Sequence, residues 1–221
     1  MACAFMAQAF SQSTVLAIKL FSMAAFLLVF AAITAARWYA EPDDKTGEPV
    51  EQPIPFSHKH HVGDDGVDCR YCHTSVEKSA FAGMPSTQIC LTCHSQLFTD
   101  SPVLTPLHAS MDSNTQIRWN RVHDLPDFVY FDHSIHVNKG VACIECHGRI
   151  DEMPLTARVA SLDMQWCLQC HRSAPRHVRP LADVFAISDT RPLSQQEIGQ
   201  LNRLFHLQDT RRLTDCSTCH R

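Results

Sequence analysis

The hydropathy of the chain changes character near Ala40. From Val15 to Ala36 the sequence reads VLAIKLFSMAAFLLVFAAITAA, and from Leu20 to Ala36 it carries no charge. At ~1.5 Å rise per residue, roughly 20 apolar residues cross the ~30 Å hydrocarbon layer of a bilayer. The pattern therefore predicts one membrane-crossing α-helix within an N-terminal segment 1–40. Lys19 can reach the interface along its methylene stem, and Arg37, Trp38 and Tyr39 supply a cationic and aromatic anchor. A cleaved signal peptide is the alternative, because Ala31–Ala36 offers small residues near a possible cut. The length of the apolar run favours an uncleaved anchor. Lys19 and Arg37 lie on opposite sides of the run, so charge alone does not orient it.

The pattern turns polar immediately afterwards. Residues 41–55, EPDDKTGEPVEQPIP, are acidic and proline-rich, the composition of a linker that buries no core. Near the other end, Ser194 and Glu197 form a capping-box signature. Ile198, Leu201, Leu204 and Phe205 follow as the apolar face of a predicted helix.

Cysteine changes this picture more than charge does. Ten of the eleven cysteines fall into five copies of Cys-x-x-Cys-His. The copies are Cys69 and Cys72 with His73, Cys90 and Cys93 with His94, Cys143 and Cys146 with His147, Cys167 and Cys170 with His171, and Cys216 and Cys219 with His220. Cys3 is left over. This spacing is the attachment signature of c-type haem. The two thiols clamp one porphyrin edge as thioethers, and the following histidine takes the proximal side of the iron. Zinc ribbons pair their Cys-x-x-Cys half-sites and need no histidine after each one, and five is an odd number of halves. Disulfides leave the five histidines unexplained. Haem is attached outside the cytoplasm, which orients the segment: N-terminus inside, remainder on the extracytoplasmic side of a cell membrane. Five haems within residues 56–221 is one per roughly 33 residues, too dense for an ordinary core. The expected fold is short helices at the attachment motifs, long irregular connections and little sheet.

The motifs sit in a repeat. FSHKHHVGDDGVDCRYCH begins at Phe56 and FDHSIHVNKGVACIECH begins at Phe131. Both read Phe-x-His-x-x-His, a Gly-Val turn, then Cys-x-x-Cys-His. A second attachment motif follows each, at Cys90 and at Cys167. The expected organisation is a two-haem module over 56–110, a connector over 111–130, a second module over 131–178 and a C-terminal part, 179–221, with the helix and the fifth site. The register selects His58 and His61, leaving out His60, and likewise His133 and His136. Histidines three apart share one face of a turn, so each pair can enter two adjacent haems as distal ligands. His123 is the first candidate for the fifth distal position. Met153, Met164 and His206 are weaker ones, because methionine usually packs and His206 could equally end its helix. Arg172 and Arg221 follow attachment histidines and could neutralise haem propionates, or simply be solvated.

On these residues the chain resembles the class III (c3/c7-type) multihaem cytochromes over about 56–171. That resemblance implies that the first histidine of each pair serves the haem attached next and the second a neighbouring haem. The anchor, the five motifs, VHDLPDFVYFDHSIHVNKGVACIECHG and SLDMQWCLQCHR further resemble the pentahaem cytochrome c subunits of bacterial alternative complex III. That resemblance implies a respiratory quinol oxidoreductase with iron–sulfur and polytopic quinol-binding subunits, and relay to a soluble carrier or oxidase. It also leaves room for a His/Met haem beside the bis-His ones.

Beyond Ala40 the chain has 17 Lys and Arg against 23 Asp and Glu, a balance of −6 that argues against nucleic acid as a partner. The leading reading is an electron relay without a catalytic site of its own. An anchored quinol dehydrogenase feeding a separate periplasmic reductase shares these features and differs in partners. A multihaem reductase needs an open iron, often beside Cys-x-x-Cys-Lys, and no such motif is present.

Overall fold

The computed structural model describes residues 11–40, 45–187 and 191–220. Cys3, residues 41–44 of the predicted linker and Arg221 lie outside them. The chain divides into two units, residues 1–44 and 45–221. In the first, α1 runs over Gln12–Ala40, long and apolar enough to cross a membrane. By length and composition it can serve as an anchor or as a signal sequence.

The second unit is built from short helices: α2 (Cys69–Cys72), α3 (Thr87–His94), α4 (Thr105–Asp112), α5 (His133–Asn138), α6 (Cys143–His147), α7 (Met164–Arg172), α8 (Gln195–Leu204), α9 (Thr210–Leu213) and α10 (Cys216–Cys219). The paired cysteines of every Cys-x-x-Cys-His motif lie on one of them. Three of these turns start at an aspartate whose carboxylate accepts from a backbone amide: Asp68 from Arg70, Asp163 from Trp166 and Asp215 from Ser217. Such caps satisfy the free amides of a first turn, which lets a helix of one turn persist. The predicted capping box opens α8, with Ser194 and Glu197 bonding each other's amides. Among the described residues, β structure is limited to two isolated antiparallel bridges, Pro49 with Ala157 and Val141 with Val178.

Residues 45–55 differ from the predicted linker. Gly47 and Val50 donate to the carbonyls of Arg158 and Thr156, the Gln52 side chain bonds the Asn120 backbone in both directions, and Ile54 is buried. The segment is short of apolar residues, but its backbone finds partners in the second repeat and is strapped onto it.

The two repeats also differ in one turn. In the first, Cys69 lies thirteen positions after Phe56, and in the second, Cys143 lies twelve positions after Phe131. The extra residue is absorbed as a π-helical turn over Lys59–Asp64, whereas the second repeat keeps an ordinary α-helix, α5. A one-residue insertion into a helix is the usual origin of a π-turn. Register is recovered at once: the Val67 amide donates to the His61 carbonyl at 2.9 Å, and Val141 to His136 at 3.0 Å. Gly66 (φ 69°) and Gly140 (φ 82°) supply the left-handed residue before each valine.

The polypeptide core is small. Val76, Val137 and Val184 form its buried cluster, with Ala82 and Phe185 against it, and the Arg70 guanidinium lies 4.4 Å above the Phe185 ring. Val76 comes from the first repeat and Val137 from the second, so the two share one centre.

Candidate metal centres

Four pairs of histidines face each other. His58 and His73 have ring centres 6.5 Å apart at an interplanar angle of 10°, and His133 and His147 are 6.3 Å apart at 11°. His136 and His171 are 6.2 Å apart at 25°, and His61 and His94 are 6.1 Å apart at 67°. Two imidazoles on opposite faces of one metal, each bound at about 2 Å, have ring centres roughly 6 Å apart. In each pair one ring belongs to an attachment motif and the other to a Phe-x-His-x-x-His turn.

The turn itself is reproduced in both repeats. The phenylalanine presents its edge to the first histidine, at 4.9 Å for Phe56–His58 and 4.7 Å for Phe131–His133. It stacks on the second, at 4.4 Å for Phe56–His61 and 4.6 Å for Phe131–His136. Neither imidazole can swing without displacing the aromatic ring.

The outer nitrogens are anchored. The Nδ1 atoms of His61, His73, His94, His133, His136, His171 and His220 lie 2.7–3.1 Å from the carbonyl oxygens of Ser57, Gly83, Leu97, Ala80, Asp132, Leu213 and Phe128. His58 differs, its Nδ1 meeting the Thr156 hydroxyl at 2.9 Å. A carbonyl only accepts, so Nδ1 carries the proton and Nε2 keeps its lone pair for a metal. Burial, followed by the neighbouring His73, lowers His58 to about 4. Burial, followed by His123, lowers His147 to about 3. Burial likewise lowers His136. Neutral imidazole is the form that ligates, so these donors suit haem iron.

The remaining histidines are built differently. His60 is exposed and faces Asp65 at 3.5 Å. His177 has both nitrogens engaged, by Ser173 and Glu145. His206 is exposed at φ 48°, just past the end of α8. His123 packs against His147 with ring centres 4.4 Å apart at 71°, nearer than two ligands flanking one iron. Its Nε2 and that of His108 are buried without a hydrogen-bond partner. Against His220 the packed ring is Phe128, at 5.9 Å. Met164 opens α7 one turn before Cys167 and is 67% exposed. The Met153 carbonyl accepts from the Lys59 amide. Arg172 is exposed at the end of α7.

The thiols give the motifs a spatial order. The Cys69 and Cys143 thiols neighbour each other, each the largest influence on the other's ionisation. Burial, then proximity of Cys90, raises Cys72, with Cys93 a smaller contributor. Burial and then Cys170 push Cys146 up to about 12, and burial and then Cys219 raise Cys167. The motifs therefore neighbour one another in the order Cys90, Cys69, Cys143, Cys167, Cys216.

The five motifs differ in how far their thiols are exposed. Cys93 and Cys216 are exposed, whereas the other eight motif cysteines are half-buried. The reason lies in the order of the motifs, since each of these two thiols belongs to an end motif with a neighbouring motif on one side only. Cys93 sits in the last turn of α3, where the Thr92 hydroxyl approaches its sulfur at 3.9 Å. Solvent access leaves the Cys93 thiol able to form a thioether. Among the described residues no three or more His, Cys, Asp or Glu side chains gather at a point, as a tetrahedral zinc site needs.

Sequence reasoning missed Thr156 and the carbonyls that anchor Nδ1. Carbonyls are anonymous in sequence, and Thr156 is 98 residues from the histidine it meets. The thirteen-against-twelve spacing was the one available signal of the π-turn.

The family described as cytochrome c7 and related cytochrome c matches residues 129–221, and a c-type cytochrome of that kind holds haem covalently. The chain is also 39% identical over 111 residues to the menaquinone reductase, multiheme cytochrome c subunit, of Nitratidesulfovibrio vulgaris (strain Hildenborough). That alignment covers 50% of this chain and 51% of the relative, so the chain spans about half the length of the relative it matches.

Proposed function

We propose that the chain is an electron-relay subunit carrying five covalent c-type haems, held to a membrane by α1, in a quinol-linked respiratory complex. The observation that carries the reading is the set of four facing imidazole pairs, seven of whose eight rings have Nδ1 tied back. In this reading the porphyrin edges are held by Cys69 and Cys72, by Cys90 and Cys93, by Cys143 and Cys146, by Cys167 and Cys170, and by Cys216 and Cys219. His73, His94, His147, His171 and His220 are proximal ligands, and His58, His61, His133 and His136 close the opposite faces of the first, second, third and fourth sites. Bound haem supplies one-electron exchange at iron. The chain's own part is to fix ligands, spacing and order.

His123, Met153, Met164 and His206 remain the candidates for the fifth site, and its opposite face distinguishes it from the other four. The relative's name, a menaquinone reductase subunit, supports a quinone link. It also favours a second reading, in which electrons run toward quinone instead of away from quinol. An assembly with iron–sulfur and polytopic subunits, relay to a soluble carrier or oxidase, and an N-terminus on the cytoplasmic side complete the proposal. A dehydrogenase feeding a separate reductase differs only in what co-purifies.

Adding carbon monoxide to the reduced, haem-loaded protein tests the relay. At most one haem in five, the fifth, should shift spectrally. Binding at two or more sinks the closed-relay reading. Gentle detergent purification tests the assembly, which fails if neither an iron–sulfur nor a polytopic subunit accompanies the chain.

A further inference from the structure

The two repeats exchange support at their first histidines. The His133 amide and its Nδ1 both reach the Ala80 carbonyl, a short way past His73 in the chain, at 3.2 and 2.8 Å. The Ser134 amide beside it donates to Ser79, and the Asn138 amide group to the Glu77 carbonyl. In return His58 Nδ1 meets Thr156 Oγ1, a short way past His147, and the Lys59 amide donates to Met153. Each repeat thus completes a ligand of the other. The exchange is unequal, since the first repeat offers a peptide carbonyl and the second a side-chain hydroxyl.

We infer that Thr156 is a positioning residue for the first haem site: its hydroxyl accepts the His58 Nδ1 proton and thereby sets how strongly Nε2 donates to that iron. The inference rests on His58 being the ligand opposite His73. An acceptor at Nδ1 makes an imidazole a stronger donor and favours the oxidised metal. A hydroxyl accepts more weakly than an amide carbonyl, so the first site is tuned to a higher potential than the third. Thr156 is itself held, because its carbonyl accepts from Val50 and its neighbour Ala157 bridges to Pro49. The strap of residues 45–55 therefore acts on the first site through Thr156.

Thr156→Val keeps the shape and removes the acceptor, and Thr156→Ser keeps the acceptor. In protein carrying its full complement of haem, redox titration and ferric low-spin EPR should show one haem of the set rising in potential in Thr156→Val and returning in Thr156→Ser. His58→Ala should convert one haem to a high-spin, carbon monoxide-binding form. If His58→Ala does so while Thr156→Val leaves every potential and signal unchanged, or Thr156→Ser fails like Val, the positioning role is wrong and the ligand assignment stands. If His58→Ala leaves all haems low-spin, the ligand assignment falls and the positioning role with it.

Discussion

A histidine ring has two nitrogens, and whatever holds one decides what the other can do. Seven rings here are tied by Nδ1 to carbonyls and one to a hydroxyl, which leaves the Nε2 lone pair for a metal. His60, one residue from His61, has instead a solvated partner in Asp65. His61→Ala should therefore open one haem to carbon monoxide in the loaded protein, whereas His60→Ala should leave the difference spectrum unchanged. Equal effects would break the register on which the assignment rests. Ring orientation makes a second statement. Three facing pairs are within 25° of parallel and the His61–His94 pair is at 67°. Ferric EPR should resolve one crossed-plane low-spin haem against three near-parallel ones, and His94→Ala should remove the crossed signal alone.

At the scale of elements, α8 was legible from its capping box of Ser194 with Glu197, and the motif turns from their Cys-x-x-Cys-His spacing. The caps at Asp68, Asp163 and Asp215 came only with the structure. The strap over 45–55 was not legible, because backbone partners in another repeat leave no mark on composition. The π-turn was half legible: the spacing showed an extra residue, but its accommodation depends on Gly63. A Cβ there would run into the Asp151 carbonyl oxygen, which belongs to the 3₁₀ turn Ile150–Glu152. Backbone cannot step aside as a flexible side chain can, so Gly63→Ala should cost on the order of 1–3 kcal/mol, read as a lower melting temperature. An unchanged melt would mean the two turns are not in contact. The cap of α8 makes a pH statement. Hydrogen bonds from Arg191, then from the Ser194 amide and hydroxyl, lower Glu197 from the ordinary 4.5 to about 2. A depressed carboxyl stabilises fully above its unfolded value and loses that contribution as pH falls toward its folded one. The cap's contribution should fade between about 4.5 and about 2, a small change because Glu197 is solvated. Glu197→Gln should flatten that part of the pH profile of helicity.

For the whole molecule, the small valine cluster and the order of the motifs point the same way. A unit of this length normally orders itself around a broad apolar interior, yet the buried apolar residues described here number ten. Cofactor planes gathered at the motifs are the interior the proposal supplies, and they would be arranged in a line. The Cys143 motif occupies the middle of that line, beside Cys69 on one side and beside the Cys167 motif on the other. The two ends carry the exposed thiols, Cys93 at one and Cys216 at the other. The Cys216 end is joined to the body through Tyr130–Cys219, His220–Phe128 and the Leu213 contact of His171. Removing a middle member and removing an end member should therefore differ in kind. Cys216→Ala with Cys219→Ala should yield a chain with four haems that still exchange electrons rapidly after a pulse of reductant. Cys143→Ala with Cys146→Ala should also yield four, counted as haem per chain, but split into two pairs that equilibrate within themselves and only slowly with each other. Reduction spreading equally fast in both variants would show that the sites are clustered around one another, and the linear order would be wrong.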